Sequence, residues 1–191
     1  MSISPVNIAL FASGNGSNVQ NIVEYFQDNS VVKPSLILTN KANAFVIERA
    51  KNLDIPCLVF KPSELREGIV IKAAILKYQI DFVVLAGFLL KIPDYLIDLF
   101  PQKIINIHPA LLPKFGGKGM YGDFVHQAVK DSGVAETGIT IHYVNREYDE
   151  GQIIFQKKVP VLASDSSDDI AQKVHALEYE YFPKVIKDLL T

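Results

Sequence analysis

Short apolar runs of strand length alternate with helical patterns over the first 107 residues, and few folds accommodate that order. The runs are residues 7–12 (NIALFA), 35–39 (SLILT), 56–60, 82–86 (FVVLA) and 103–107. Between the first two, Val19, Ile22, Val23 and Phe26 recur at helical spacing. Residues 44–53, 64–78 and 94–99 also read as helices, although Gly68 weakens the second of these. Residues 82–86 are apolar throughout, as expected of a strand covered on both faces. This order predicts an α/β fold built on a doubly wound, mostly parallel sheet.

The pattern then changes. Residues 109–122 carry four glycines and two prolines without periodicity, and a loop of that length in a compact domain is usually functional or mobile. A short helix over 123–130 follows. Residues 137–144 and 152–161 read as a C-terminal antiparallel hairpin. Ser166, Ser167, Asp168 and Asp169 are placed to cap a long C-terminal helix over 170–190, which Pro183 should bend or divide. With no repeat or linker, the 191 residues are expected to form a single domain.

Composition narrows the function classes. A formal charge of -2 gives no electrostatic reason to expect nucleic acid or an anionic membrane as a partner. No apolar run approaches the length that spans a bilayer. Cys57 is the sole cysteine, which rules out an internal disulfide and any multi-cysteine metal site, and no other metal-ligand constellation is apparent. A cytoplasmic location is expected.

Two places concentrate chemistry. The first strand ends in Ser13-Gly14-Asn15-Gly16-Ser17-Asn18 and runs into a helix, where exposed N–H groups favour an anion such as phosphate. The segment matches neither GxGxxG nor the Walker pattern, so dinucleotide and ATP sites are poorly supported. The second place is Asn106-Ile107-His108, at the end of the fifth strand and ahead of Pro109. A two-residue spacing in a strand puts the carboxamide and the imidazole on one face, at the edge where open α/β sheets bind ligands. Together they suit a developing oxyanion in acyl transfer. Asp149 lies in a polar turn and, if it meets His108, would favour the imidazolium. His142 alternates with Thr140 and Val144 and reads as packing. Arg66 and Lys91 read alone as surface charges, and Glu178 as a solvated or salt-bridged helix residue. Phe88, Leu89, Leu90 and Ile92 are either core or the wall of an apolar slot.

The blocks FASGNGSNVQNI, TNKANAFVIERA, VVLAGFLLKIP, INIHPALLPKF, TGITIHYVNREYDEGQII and DSSDDIAQKVHALEYEYFP, in this order, span nearly the whole chain. They resemble the folate-dependent formyltransferase family, and the SGNGSN loop points to its phosphoribosylglycinamide branch. The resemblance implies a Rossmann-like formyltransferase fold, with a nucleotide-binding half of about residues 1–105 and a folate-binding, catalytic half of about 106–191. It implies transfer of a formyl group from 10-formyltetrahydrofolate, a cosubstrate, to glycinamide ribonucleotide, by a monomer or homodimer that needs no metal. Asn106, protonated His108 and Asp149 would be catalytic. Gly16, Ser17 and Asn18 would hold the phosphate, with Glu178 and His175 reaching the nucleotide. Leu89, Leu90, Lys91 and Ile92 would line the folate pocket, Asn145, Arg146, Glu147 and Tyr148 would border the pterin, and Arg66 would lie near the folate.

The chain departs from the family pattern in two places. Leu90-Lys91 stands where relatives usually place an arginine, and the segment after Phe115 (GGKGMYGDFVHQAVKDSG) is longer than usual, leaving His126 unmatched. A transferase acting on initiator tRNA would want a basic RNA-binding domain, and a formyltetrahydrofolate hydrolase a regulatory domain. Neither is expected here.

Overall fold

A computed structural model describes residues 4–191. Hydrogen bonding orders the strands β3-β2-β1-β4-β5-β6-β7, and the chain divides inside β5 into two compact units. The first runs through Ile105 and includes Ile186–Thr191; the second is Asn106–Val185.

The first unit follows the predicted alternation. It contains β1 (Val6–Phe11), α1 (Ser17–Tyr25), β2 (Val32–Thr39), α2 (Val46–Asn52), β3 (Cys57–Val59), α3 (Pro62–Glu67), α4 (Ile69–Lys77), β4 (Phe82–Leu85), α5 (Asp94–Leu99) and the start of β5 (Ile104–His108). The β1–β2, β1–β4 and β2–β3 pairs are all parallel. Ile8, Leu10, Phe11, Ile37, Leu38, Val83 and Val84 are solvent-inaccessible. Adjacent residues point to opposite faces of a strand, so burial of neighbours such as Ile37 and Leu38 means that both faces of the sheet are covered.

Two boundaries differ from expectation, each for a local reason. β2 starts at Val32 rather than Ser35 and so includes Pro34. Its register against β1 slips between Ile8 and Ala9, opposite Pro34 and Leu36, so Ser35 is the extra residue. Proline is tolerated at such a bulge because it has no ladder N–H to lose, and β3 reaches only Ile37–Thr39 on the other side. The single helix expected over 64–78 is instead α3 and α4, separated by Gly68 at φ +79°. A Cβ at Gly68 would lie 2.8 Å from the Tyr95 ring, whose hydroxyl donates to the Leu65 carbonyl at 2.8 Å. Only glycine accommodates both that backbone angle and that contact.

The second unit holds the rest of β5, α6 (Asp123–Ser132), β6 (Glu136–Tyr143), β7 (Ile153–Pro160) and most of α7 (Ser167–Leu190). β6 and β7 form the expected antiparallel hairpin. The cap ahead of α7 is also as expected. The Ser166 hydroxyl accepts the Asp169 amide at 3.1 Å, and the Asp169 carboxylate accepts the Ser166 amide at 2.8 Å. Pro183 does not divide α7, which continues for 24 residues.

Replacing Gly68 with alanine should destabilise the protein by about 1–3 kcal/mol, from the left-handed backbone angle and the Tyr95 overlap. Chemical denaturation that finds no loss would remove Gly68 as the reason the helix divides.

Candidate active site

In the first unit, the loop after β1 takes its shape from α2. Gly16 at φ +75° precedes α1, and a Cβ there would overlap the Val46 side chain. The Val46 amide donates to the Gly14 carbonyl at 3.2 Å. No side chain caps the helix start, and first-turn amides have no intrahelical acceptor. Arg49, read in the sequence only as part of a helix, donates to the Asn15 carbonyl at 2.8 Å and the Asn15 side-chain oxygen at 2.6 Å, and also meets Gln20. A guanidinium therefore adds positive charge beside a helix N-terminus, an arrangement that favours an anion. Ser13 Oγ donates to Asn40 Oδ1 at 2.6 Å and accepts the Leu89 amide at 3.0 Å, tying the loop to the segment after β4.

Phe88 is core, with its ring centroid 5.2 Å from Phe11 and 6.2 Å from Phe60. Ile92 is buried as well, while Leu89 and Lys91 are exposed and Leu90 is half-buried. Arg66 is exposed in the last turn of α3.

The second unit gathers all four histidines of the chain. At the end of β5, His108 Nε2 lies 2.7 Å from the Phe115 carbonyl. A carbonyl only accepts, so Nε2 carries a proton. Its Nδ1 faces Asp149 Oδ2 at 3.6 Å, and the other Asp149 oxygen lies 3.6 Å from His142 Nε2. The Asn106 amide is 3.2 Å from the same His142 nitrogen. His142 Nδ1 donates to the Tyr143 carbonyl at 2.9 Å. The expected trio of Asn106, His108 and Asp149 is thus together, with His142 between two of its members. The sequence reading had given His142 to packing. It is buried, but its ring makes polar contacts.

The electrostatics of this cluster are set by opposing effects. Burial pushes His108 below its ordinary pKa, against the pull of Asp149 and the Phe115 carbonyl. Asp149 experiences the reverse balance. Burial opposes its ionisation, but the His142 and His108 rings and the Gly117 amide, which donates at 2.9 Å, together hold its carboxyl below the usual range. Asp149 sits at φ +56°, a left-handed angle that aspartate tolerates better than most residues. The result is a fixed anion beside an imidazole that burial biases toward neutrality.

On α7, His175 Nδ1 lies 2.9 Å from the buried Glu178 carboxylate, and that hydrogen bond raises the His175 pKa. His126 on α6 has its ring centroid 6.1 Å from that of His175. His126 is buried with no partner at Nδ1, and burial followed by His175 lowers its pKa. The candidates Asn145, Arg146, Glu147 and Tyr148 lie on the exposed turn leading to Asp149. The Asn145 side chain accepts the Glu147 amide at 3.0 Å, giving that turn its form.

Removing the Asp149 charge should lower the His108 pKa further, because that anion is the chief influence raising it. Histidine NMR titration of Asp149→Asn checks this, and an unchanged His108 titration would mean that the 3.6 Å pair is not coupled.

The family model described as formyl transferase matches residues 6–186. A phosphoribosylglycinamide formyltransferase of Bacillus subtilis is 40% identical over 95% of this chain and 93% of its own length. The chloroplastic enzyme of that name from Arabidopsis thaliana is 44% identical over 94% of this chain. The chain spans less than two thirds of two such plant relatives, 63% of the Arabidopsis protein and 60% of the one from Vigna unguiculata. A crystal structure of glycinamide ribonucleotide transformylase 1 from Geobacillus kaustophilus superposes with a TM-score of 0.89 at 33% identity, covering 98% of this chain and 100% of that one. The chain belongs to the formyl transferase family, in the company of its phosphoribosylglycinamide formyltransferase members.

Proposed function

We propose that this chain transfers the formyl group of 10-formyltetrahydrofolate to the amine of 5-phosphoribosylglycinamide, a step of purine synthesis, in the cytoplasm. The observation that carries this reading is the meeting of Asn106, His108 and Asp149 at the end of β5, with the carboxylate ionised beside the imidazole.

The chemistry calls for three services. Attack of the amine on the formyl carbon turns the formyl oxygen into an oxyanion, for which the Asn106 amide and the His108 Nε2–H are the donors. One such donor is typically worth about 3 kcal/mol in the transition state. Negative charge arriving beside His108 favours its protonation, which burial opposes in the resting chain, and Asp149 balances the resulting imidazolium. Asp149 also accepts the proton that the attacking amine must lose and returns it toward the departing folate nitrogen. No covalent bond to the protein is needed.

The remaining roles are assigned by residue. Gly16, Ser17 and Asn18 hold the phosphate at the start of α1, and Arg49 reinforces the local positive charge through Asn15. His175 and Glu178 bind the nucleotide. Arg66, Leu89, Leu90, Lys91, Ile92 and the turn of Asn145, Arg146, Glu147 and Tyr148 bind the folate.

The deciding assay follows folate release by absorbance, with the ribonucleotide present or omitted. Release that requires the ribonucleotide is expected; release without it would mean a hydrolase. Asp149→Asn should lower kcat by about a hundredfold or more while leaving the ribonucleotide KM within a fewfold. Equal losses in kcat and binding would refute the proton-transfer role. Ser17→Ala should raise that KM by about tenfold, the scale of one lost hydrogen bond to a charged group, with kcat little changed. An unchanged KM would remove Ser17 from the phosphate site.

A further inference from the structure

The Ser13 hydroxyl stands where three neighbouring strands of the first unit end. Ser13 follows β1, Asn40 follows β2 directly, and Gly87–Leu89 continue from β4, which borders β1 on its other side. Ser13 is buried, with 1% of its surface exposed. Its hydroxyl donates to Asn40 Oδ1 at 2.6 Å and accepts the Leu89 amide at 3.0 Å, while its own amide donates to the Gly87 carbonyl at 3.0 Å. Ser13 therefore grips the chain after β4 at two points, one on each side of buried Phe88. The Asn40 link leads into the chain ahead of α2, whose Val46 and Arg49 hold the same glycine loop from another side. The links to Val46 and Arg49 end on a helix to which no ligand contact is assigned. The Ser13 link ends on Leu89, the first residue of the stretch assigned to folate.

We propose that Ser13 is a positioning residue that couples the two ligand sites, carrying the state of the phosphate loop to the folate wall through the Leu89 amide. This rests on the assignment of Gly16, Ser17 and Asn18 to phosphate and of Leu89–Ile92 to folate. An anion seated on the first-turn amides of α1 fixes residues 16–18. Little slack separates them from Ser13, because the Gly14 carbonyl accepts the Val46 amide and Asn15 is held by Arg49. A fixed Ser13 hydroxyl holds the Leu89 backbone, and the exposed Leu89 side chain then presents one orientation to the donor. Freedom removed by the first ligand is not lost again when the second binds, which makes binding cooperative without any large movement. Linkage makes the effect equal in both directions. Being buried, Ser13 acts through its neighbours rather than on a ligand.

Backbone amide NMR of Ser13→Ala beside the native chain tests this. The substitution deletes both side-chain hydrogen bonds but keeps the amide bond to Gly87 and the Phe11–Phe88 contact, so the fold is retained, with circular dichroism as the check. Inorganic phosphate, which is too small to span both sites, should move the Gly16, Ser17 and Asn18 amides in both chains and the Leu89 amide only in the native one. Tetrahydrofolate, which has no formyl group to transfer, should tighten ribonucleotide binding by about fivefold or more in the native chain and by less than about twofold in Ser13→Ala. Ser13→Thr keeps the hydroxyl and should retain the coupling. A Leu89 amide that stays still in the native chain would overturn the proposal without any variant, and so would full coupling in Ser13→Ala. Loop amides that respond to neither phosphate nor ribonucleotide in the native chain would overturn the phosphate assignment and this proposal with it.

Discussion

The hydroxyl of Thr140 organises the second unit. Fully buried on β6, it donates to the Ala110 carbonyl at 2.7 Å and accepts the Leu112 amide at 3.0 Å and the Gln156 side chain at 2.9 Å. A hydroxyl offers one donor and two acceptor positions, and here each is used. Gln156 on β7 also donates to the Leu112 carbonyl at 3.0 Å. Three segments are therefore joined at one point: the chain leaving His108, the strand carrying His142, and the strand beside it. Buried polar groups satisfied in this way fix geometry more strictly than apolar packing, because any shift leaves a donor or acceptor unpaired. The 110–112 stretch cannot slide along β6, and so the loop that brings the Phe115 carbonyl back to His108 starts from a fixed point.

Charge placement in that unit follows the same economy. Asp149 is half-buried yet ionised, because two imidazoles and one backbone amide surround it. The nearby carboxylate of Glu178 is buried too and holds His175. Each of these two carboxylates has a histidine within contact distance, and buried Asp165 is paired with Lys173 instead, since low-dielectric surroundings call for a partner. His126 departs from this pattern, with a buried ring nitrogen left unpartnered next to a second imidazole.

Much of the fold was legible because its strands are covered on both faces, so apolar runs such as 82–86 stand out without any partner being known. The placing of Asn106 and His108 was legible for a related reason, since two-residue spacing at a strand end fixes which side chains share a face. What stayed hidden depends on distant partners. Pro34 reads locally as a break, and only the bulge opposite β1 makes it part of a strand. Gly68 weakened a helix in the sequence, but Tyr95, 27 residues later, is what requires glycine there. The link from Arg49 to Asn15 crosses 34 positions and leaves no local trace. His142 shows the limit of periodicity: alternation correctly put it inside, and burial says nothing about what a ring's nitrogens meet.

The contacts of the Phe115–Gly117 backbone bear on the energetics of ligand binding. The Phe115 carbonyl accepts the His108 Nε2–H and the Gly117 amide donates to the Asp149 carboxylate, so both side chains are held by this backbone. A ligand oxygen that reaches His108 must displace a neutral carbonyl acceptor tethered seven residues away, and the hydrogen-bond count stays the same. The exchange is nearly neutral for a ground-state carbonyl, which resembles the group it replaces. It becomes favourable when the incoming oxygen carries more negative charge than an amide oxygen does. In the proposed reaction the backbone would thus serve as a reference acceptor, with binding energy at this nitrogen reserved for the more charged species that forms as the formyl group is attacked.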